Sequence, residues 1–379
     1  MSDHPDLPTT TRELRSTVTA DGTLTIDVRD ADLPAPGPDQ VVVRIEAAGI
    51  NPSDLALLLG GADVEQAVAA GSVEHPAVTA PITAGLGALA ARFDKPMVIG
   101  NEGGGVVIAA GSSDEAQALL GQTVGFVSGD AYAEYRTVHV MSCMPMHDGT
   151  DPVDAGAPFV NPLTALGMVE TMRSEGHTGL VHTVGASNLG QMLNRICLTD
   201  GVPLVNIVRK AEHVDMLRGL GAEHVVNSSS DTFSADLADA LRATGATIVF
   251  DAIGGGDLVG RILGQMEKVA VEGNEYNRYG SDVLKQAYIY GGLDRSPTTL
   301  NRTFGLSWSV SGWLLTPFLA KLGLEGVGRL RQRVADEITT TFASSYGMRL
   351  TLDEAVDPEM VRRYAKMATG DKALITPHS

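Results

Sequence analysis

Cysteine and positive charge are both scarce in this sequence. Cys143 and Cys197 are its only cysteines, and neither lies in a Cys-x-x-Cys pair, which excludes a four-cysteine zinc lobe and predicts two buried, unreactive thiols. Lys and Arg number 28 against 46 Asp and Glu, so the formal net charge is -18. Because so acidic a protein repels phosphate backbones and anionic lipid, we expect neither a nucleic-acid nor a membrane partner.

Long apolar runs are absent as well. No uninterrupted run reaches the length that spans a bilayer, and residues 1–10 lack the cationic and apolar regions of a signal peptide, so we expect a cytoplasmic protein. At 379 residues the chain is longer than a typical single domain, which favours two domains. A hydrophobic content of 44% together with 43 glycines fits a soluble, glycine-rich enzyme.

What the sequence does contain is a strand–turn–helix–strand motif between residues 180 and 210. Residues 180–190 read Leu-Val-His-Thr-Val-Gly-Ala-Ser-Asn-Leu-Gly, in which an apolar run is followed by a turn of small residues. Gly185, Ala186 and Ser187 would allow a backbone turn to approach a pyrophosphate. Gly190 then opens a helix whose exposed N–H groups favour an anion. The motif therefore predicts a dinucleotide site.

The residues after the second apolar run, 204–208, indicate which dinucleotide binds. A site for a ribose 2'-hydroxyl usually has Asp or Glu there, whereas this chain has Arg209 and Lys210. Both cations suit a 2'-phosphate, which predicts NADPH over NADH. Thr183 and Asn188 depart from the Gly-x-Gly-x-x-Gly pattern, although Asn tolerates the left-handed backbone region better than most residues. A βαβ unit that binds no dinucleotide therefore remains an alternative.

Hydrophobic patterning divides the chain into three regions. Residues 1–155 hold short β-like runs with glycine turns, typical of a small barrel, interrupted by an Ala-rich stretch of helical character at residues 64–93. Residues 156–305 alternate strand-length and helix-length segments, which predicts a doubly wound parallel sheet. The six strands expected there are residues 180–184, 204–208, 224–227, 247–253, 268–272 and 287–292.

The third region, residues 306–379, combines amphipathic helical pattern with short strands at residues 348–352 and 372–375. Those strands need a sheet to join, and the first region offers one. We therefore predict that residues 156–305 are inserted between two parts of one domain, residues 1–155 plus 306–379.

A series of short motifs follows the same order along nearly the whole chain. They are residues 49–54 (Gly-Ile-Asn-Pro-Ser-Asp), 99–106, 131–135, 160–165, 220–225, 251–254, 290–293 and 369–377. Together they resemble the medium-chain dehydrogenase/reductase superfamily, in its zinc-independent quinone oxidoreductase and 2-enoyl thioester reductase branch. The resemblance implies an α/β protein with a doubly wound parallel Rossmann sheet that binds NADPH, inserted into a GroES-like β-barrel catalytic domain.

The residue types at two positions bear on metal chemistry. Alcohol dehydrogenases that the chain resembles have a Cys in the segment of residues 51–54 and a His in that of residues 100–102, whereas this chain has Asn51 and Asn101. Neither amide is a competent zinc ligand, so we predict no metal. Without a Lewis acid, reduction of an already polarised acceptor is favoured over alcohol oxidation. Thioester reductases of the branch also carry a Tyr that residues 57–63 lack, whereas quinone reductases manage without one.

The resemblance implies that Asn51 and Asp54 lie near the nicotinamide, and we predict both as catalytic residues. Asn51 could donate a hydrogen bond to a substrate carbonyl. The alternative is that Asn-Pro-Ser-Asp is a turn and helix cap, since all four residue types favour such positions. Glu102 is predicted to form a structural ion pair, and His182 is predicted to be a core residue of a buried strand.

The cofactor-binding residues are drawn from the turn, the ends of the strands and the crossing between domains. Asn161 and Thr164 have the alternative of a helix start with Pro at its first turn, and the segments that end the fourth and sixth strands have the alternative of bare strand ends. The full prediction is Asn161, Thr164, Thr183, Gly185, Ala186, Ser187, Asn188, Leu189, Gly190, Arg209, Lys210, Ala252, Ile253, Tyr290, Gly291 and Gly292.

Two further segments are predicted to act beyond the cofactor. Residues 61–98 form an insert that is either a lid narrowing the substrate range or a surface helix pair. Residues 287–293 form an apolar last strand with no edge protection, which predicts a homodimer paired through that edge.

The sequence thus favours an NADPH-dependent, metal-free reductase that delivers hydride to a quinone or an α,β-unsaturated carbonyl. A 2-enoyl thioester reductase is the rival within enzymes. A non-catalytic NADPH-binding sensor is the rival outside them.

Overall fold

The structure, a computed structural model, describes residues 7–379. Residues 1–6, on which part of the signal-peptide prediction rests, lie outside the described residues. The described chain divides into two compact units, the first formed by residues up to 160 together with residues 331–379 and the second by residues 161–330.

The strands of the described chain follow one another in this order: β1 (Thr10–Val18), β2 (Thr23–Asp32), β3 (Gln40–Gly49), β4 (Val68–Gly71), β5 (Pro76–Pro81), β6 (Met97–Val98), β7 (Glu102–Ala110), β8 (Thr123–Val127), β9 (Tyr135–His139), β10 (Cys143–Pro145), β11 (Leu180–Thr183), β12 (Leu204–Val208), β13 (His224–Asn227), β14 (Ile248–Asp251), β15 (Gly254–Gly256), β16 (Lys285–Ile289), β17 (Asp294–Thr298), β18 (Trp308–Gly312), β19 (Met348–Leu350) and β20 (Ala373–Ile375).

The α-helices are α1 (Pro52–Leu59), α2 (Asp114–Leu119), α3 (Val160–Ser174), α4 (Asn188–Asp200), α5 (Ala211–Gly219), α6 (Phe233–Thr244), α7 (Leu258–Ala270), α8 (Leu315–Asp336) and α9 (Pro358–Ala365). Short 3-10 helices are Val64–Gln66, Leu86–Arg92, Val140–Ser142, Asp154–Gly156 and Glu354–Val356. Helix α8 is interrupted at Gly323, which has φ 78°.

Two mainly antiparallel sheets build the first unit. One has the order β4-β5-β2-β1-β6, and the other has the order β10-β8-β7-β3-β20-β19, with β9 also paired to β3. Residues 131–134 join them, because the N–H of Leu14 donates to Tyr132 O and that of Glu134 donates to Arg12 O. The result is the predicted barrel-like β domain around a shared apolar core.

The insert at residues 61–98 differs from the prediction. Its Ala-rich stretch is not a helix pair, because strands β4 and β5 pair as a hairpin that extends the sheet of β1 and β2. Along Pro76–Pro81, Val78 and Ala80 are buried and the intervening Thr79 is half-buried, which matches a strand with one face on the core. Pairing to the sheet therefore outweighed the helical preference of alanine.

The C-terminal strands joined the first unit as predicted. Strand β20 pairs antiparallel with the end of β3, and β19 pairs parallel with β20. Each is only three residues long, so neither is stable without the sheet that it extends.

The second unit is a parallel six-stranded sheet in the order β13-β12-β11-β14-β16-β18. The chain runs outward from β11 to β13 and then returns to β14 on the other side of β11, which is the doubly wound arrangement predicted from the sequence. Apolar residues of the strands pack with α6 and α7 into one core. A second, smaller parallel pair is formed by β15 and β17.

One of the six expected strands was wrong, and one strand was missed. Residues 268–272 belong to the end of α7 and the turn after it, because Val269 and Met266 continue the apolar face of that helix. The missing strand is β18, which pairs parallel with β16. Residues 306–330 consequently lie in the second unit rather than with residues 331–379.

None of the helices in the described part of the chain combines the length and the apolar character needed to cross a bilayer.

Candidate functional sites

The turn that follows β11 is fixed by backbone contacts. The N–H of Gly185 donates to Ile207 O over 3.0 Å, and a Cβ on Gly185 would lie only 2.7 Å from Asn206 Oδ1. Val184 has φ 58°, a left-handed conformation that is costly for a β-branched residue. The left-handed residue of the turn is therefore Val184 and not Asn188, which is already the first residue of α4.

Helix α4 begins directly above this turn. Ser187 is its N-cap and accepts a hydrogen bond from the N–H of Gly190 over 3.1 Å, so the helix starts two residues earlier than predicted. A Cβ on Gly190 would overlap the carbonyl of Gly185, which explains why this position lacks a side chain. Ala186 and Leu189 are buried, and they hold the turn to the core. This cradle has the small residues and the helix N-terminus that a pyrophosphate requires.

Thr183 and Asp251 join the ends of the two strands on either side of the point where the strand order reverses. Thr183 Oγ1 donates to Asp251 Oδ1 over 2.8 Å and accepts from the N–H of Ala252 over 2.9 Å. The other carboxylate oxygen of Asp251 accepts from the N–H of Gly254 over 2.7 Å. Ligands of open α/β sheets bind in the crevice outside such strand ends.

The segments after β14 and β16 run side by side at this edge. The N–H of Leu293 donates to Ala252 O, and that of Asp294 donates to Ile253 O. A Cβ on Gly291 would lie 2.6 Å from Ala252 O, whereas Gly292 faces open space. The predicted small-residue ends of both strands are thus brought together at one edge of the sheet.

His182 and Tyr290 form a pair beneath this edge. His182 Nε2 lies 2.7 Å from Tyr290 Oη, and the two rings stack with centroids 5.9 Å apart. Burial lowers the pKa of His182 to about 3 and raises the pKa of Tyr290. His182 is therefore the neutral core residue predicted from the sequence, and its contact with Tyr290 was not foreseen.

The two cations that follow β12 are exposed to solvent. Lys210 is the N-cap residue of α5, and its ammonium forms an ion pair of 3.2 Å with Glu212. The N–H of Ser228 donates to Val208 O, which places the loop after β13 beside Arg209. Arg209 and Lys210 thus lie at the end of the strand adjacent to the cradle.

Asn161 and Thr164 lie near the start of α3, and both are buried. Pro162 follows Asn161 at the start of that helix, as the helix-start alternative expects.

The first unit contains a separate cluster of buried polar side chains around Glu102. This carboxylate is fully buried, and it accepts hydrogen bonds from Asn51 Nδ2 over 2.8 Å and from the N–H groups of Phe159 and Val160 over 2.7 and 2.9 Å. Glu102 therefore holds the start of α3 by hydrogen bonds, rather than through the direct ion pair that the sequence predicted.

Asn51 is also fully buried, and its side-chain amide donates to acceptors within the first unit. Besides the bond to Glu102, Nδ2 lies 3.4 Å from Gly49 O. These contacts speak against the predicted donation to a substrate carbonyl, because that donation would leave the buried Glu102 carboxylate short of a partner.

Asp54 closes a capping box with Asn51 at the start of α1. Its Oδ2 accepts from the N–H of Asn51 and its Oδ1 from the N–H of Asn101, each over 2.8 Å. Burial raises the pKa of Asp54, although these hydrogen bonds oppose the rise. The structure thus gives Asp54 the cap role that the sequence left as an alternative.

Sequence reasoning missed Lys372 and Tyr346, which belong to the same cluster. Lys372 Nζ lies 5.4 Å from the centre of the Tyr346 ring, and the charges of Glu102 and Asp54 act on it. A lysine just before a C-terminal strand gives no periodic or spacing signal, so the sequence could not have indicated its position.

Among residues 7–379, no group of three or more His, Cys, Asp or Glu side chains is arranged to hold a metal ion. The amide of Asn101 donates to Ser53 Oγ over 2.9 Å. Neither Cys143 nor Cys197 forms a disulfide with another described residue, and both are buried, as predicted.

The described chain has a barrel-like β unit that is interrupted in sequence by a doubly wound parallel α/β unit. Residues 37–150 match the family model of the alcohol dehydrogenase GroES-like domain. The match therefore shows a GroES-like domain within the first unit.

Individual relatives are distant. Prostaglandin reductase-3 of Bos taurus is 25% identical over 232 residues, covering 60% of this chain and 52% of that protein, so the match spans about half the relative's length. Mitochondrial enoyl-[acyl-carrier-protein] reductase of Xenopus tropicalis is 24% identical and covers 72% of this chain and 67% of its own. A Mesorhizobium loti structure assigned as an NADPH:quinone reductase superposes with a TM-score of 0.71 at 24% identity, covering 98% and 99% of the two chains.

Proposed function

We propose that this protein is an NADPH-dependent, metal-free reductase that delivers hydride to a quinone or an α,β-unsaturated carbonyl. The observation that carries the proposal is the glycine cradle between β11 and α4, with Arg209 and Lys210 at the end of the adjacent strand.

The residues of the second unit fit a dinucleotide phosphate. The Gly185 and Gly190 positions have no room for side chains, and the start of α4 offers N–H groups to a pyrophosphate. Arg209 and Lys210 would bind the 2'-phosphate. When bound, the nicotinamide supplies a hydride, which is the chemistry of the cofactor rather than of the protein.

The carboxyl edge of the sheet would hold the nicotinamide end. Thr183 and Asp251 fix the strand ends, and Gly291 and Gly292 leave space beside Ala252 and Ile253. These residues would orient the ring and exclude water, which is how a protein makes hydride transfer efficient.

The acceptor class is supported by residue chemistry and by the relatives' names. Asn51 and Asn101 carry amides where zinc enzymes need a thiolate and an imidazole, so the proposed reaction needs an acceptor that is already polarised. The three relatives are named as a prostaglandin reductase, an enoyl-[acyl-carrier-protein] reductase and an NADPH:quinone reductase. The enoyl reductase name keeps 2-enoyl thioesters as a second candidate substrate class.

The cofactor proposal is tested with Arg209→Glu. We expect this substitution to weaken NADPH binding by ten-fold or more while NADH binding changes little, because only NADPH carries the 2'-phosphate. Fluorescence titration of both cofactors measures the two dissociation constants. Arg218→Glu, an exposed arginine on the following helix, makes the same charge change away from the strand end and serves as the control. Equal losses for NADPH and NADH in Arg209→Glu would contradict the 2'-phosphate role.

Oxidation of NADPH with a panel of quinones, enones and crotonyl thioester separates the candidate activities. Quinone or enone turnover supports the proposal, and turnover of the thioester alone supports the second candidate. Cofactor binding with no turnover would indicate a sensor instead.

A further inference from the structure

Arg209 and Lys210, the two cations that follow β12, differ in their partners. Lys210 Nζ lies 3.2 Å from Glu212 Oε1, whereas Arg209 forms no ion pair with any of the residues that the structure describes. The two cations and Glu212 are all exposed, and all three belong to the second unit. A ligand can therefore reach them directly from solvent, but it meets one unpaired and one paired cation.

Glu212 cannot move far from the two cations. It lies in the first turn of α5, and Lys210 is the N-cap residue of the same helix. Two residues of chain span at most about 7 Å, so the carboxylate stays near Lys210 whichever rotamer it adopts. The partial positive charge at the start of a helix also attracts a carboxylate in the first turn. Any anion that binds Arg209 and Lys210 must therefore share this end of β12 with Glu212.

The charge at the end of β12 does not match a 2'-phosphate. A phosphate monoester carries a charge of about −1.5 to −2 near neutral pH. Arg209 and Lys210 together supply two positive charges, and Glu212 cancels one of them. A ribose 2'-hydroxyl has no charge, so Glu212 opposes the binding of NADPH without a comparable effect on NADH.

We propose that Glu212 competes with the 2'-phosphate of NADPH for Lys210 and thereby limits the preference for NADPH over NADH. This inference rests on the function proposed above, because it requires the 2'-phosphate to bind beside Arg209. When the phosphate binds, the ammonium of Lys210 exchanges a carboxylate oxygen for a phosphate oxygen. An exposed ion pair is weak, so this exchange costs little, but the released carboxylate then lies close to the phosphate and repels it. Arg209 has no such competitor and contributes most of the affinity for the phosphate.

Glu212→Gln tests the competition, because glutamine keeps the length of the side chain and removes its charge. We expect NADPH to bind about five- to ten-fold more tightly to this variant, while NADH binding changes less than about two-fold. Fluorescence titration of the full-length protein measures both dissociation constants. Glu223→Gln is the control, because this 82% exposed side chain precedes β13, at the opposite end of the sheet, and the substitution makes the same charge change. Its affinities should equal those of the wild type.

The same substitution in a Lys210→Met background shows whether Glu212 acts through Lys210. Without the ammonium, nothing holds the exposed carboxylate beside the phosphate, so Glu212→Gln should then improve NADPH binding by less than about two-fold. Equal gains with and without Lys210 would contradict competition for this lysine.

Adenine nucleotides give a readout that is independent of the nicotinamide and of turnover. Calorimetry should show that Glu212→Gln strengthens the binding of adenosine 2',5'-bisphosphate by the same factor as that of NADPH and leaves adenosine 5'-monophosphate binding unchanged. An unchanged affinity for the bisphosphate overturns the role of Glu212 while leaving NADPH as the cofactor. A wild-type protein that binds both nucleotides equally has no 2'-phosphate site, which overturns the NADPH preference proposed above as well.

Discussion

At the scale of single residues, the cradle between β11 and α4 requires glycine at two positions, 185 and 190, because a Cβ at either would clash with neighbouring atoms. Gly190 is tolerated inside a helix, where glycine is unfavourable, because the carbonyl of Gly185 occupies the space of a Cβ. The neighbouring Val184 holds a left-handed conformation at φ 58°. Strain of this kind persists where surrounding contacts impose it, as they do in a turn fixed to Ile207.

Gly190→Ala should therefore damage both stability and cofactor binding. The new methyl group must push the start of α4 away from the turn, and we expect a loss of about 1–3 kcal/mol in unfolding free energy, as for other overpacked sites. NADPH affinity should fall at least ten-fold. Chemical denaturation and fluorescence titration measure the two quantities. Gly219→Ala is the matched control, because a Cβ there meets no atom within 4 Å, and a stable variant with normal affinity at position 190 would contradict the close-packing argument.

His182 supplies a pH prediction at the same scale. Its pKa in the folded protein, about 3, lies below the ordinary value of 6.5. Between these two pH values the imidazole is therefore protonated in the unfolded chain and neutral in the folded protein. Stability due to neutral His182 is thus present above pH 6.5 and is lost as pH falls from 6.5 toward 3. Between pH 7 and pH 5 this amounts to about 2 kcal/mol.

The measurement is the difference in unfolding free energy between wild type and His182→Gln at those two pH values. Glutamine has no titrating group, so the wild type should lose about 2 kcal/mol more than the variant on going to pH 5. A difference that does not change with pH would show that His182 becomes protonated in the folded protein.

At the scale of elements, the strand predicted to form the dimer, β16, is not at the edge of its sheet, because β18 lies outside it. Strand β18 pairs with β16 along its whole length. In the described residues β18 is therefore the edge strand on that side of the sheet, and β13 is the edge strand on the other side. Strand β18 is five residues long and has no charged residue. Since an unprotected edge pairs readily with another strand, we propose a homodimer formed through β18.

Ser311→Lys tests this proposal. Two lysines brought together across a two-fold axis would repel, and an edge lysine is a common protection against strand pairing. Light scattering should give twice the 39.7 kDa chain mass for wild type and the single chain mass for the variant. Ser112→Lys, an exposed position of the first unit, should remain a dimer. A monomeric wild type at working concentration would refute the dimer.

At the scale of the whole molecule, the period of hydrophobicity predicted the architecture. Strand-length apolar runs separated by helices identified the parallel sheet of the second unit, and short β-like runs identified the barrel of the first. The exceptions were segments where local preference and tertiary context disagree. The Ala-rich insert became the β4–β5 hairpin because a sheet edge was available, and residues 268–272 continued α7 because that helix already faced the core.

The sequence by itself determined the fold class, the glycine cradle and the two cations after β12, since each depends on local spacing along the chain. Only the tertiary structure decided which polar groups are satisfied. The members of this cluster, Asn51, Glu102 and Lys372, are far apart in sequence. Whether each of their donors has a hydrogen-bond acceptor depends on distances that only the folded chain sets. The buried polar cluster, and with it the free ammonium of Lys372, could therefore be identified only in three dimensions.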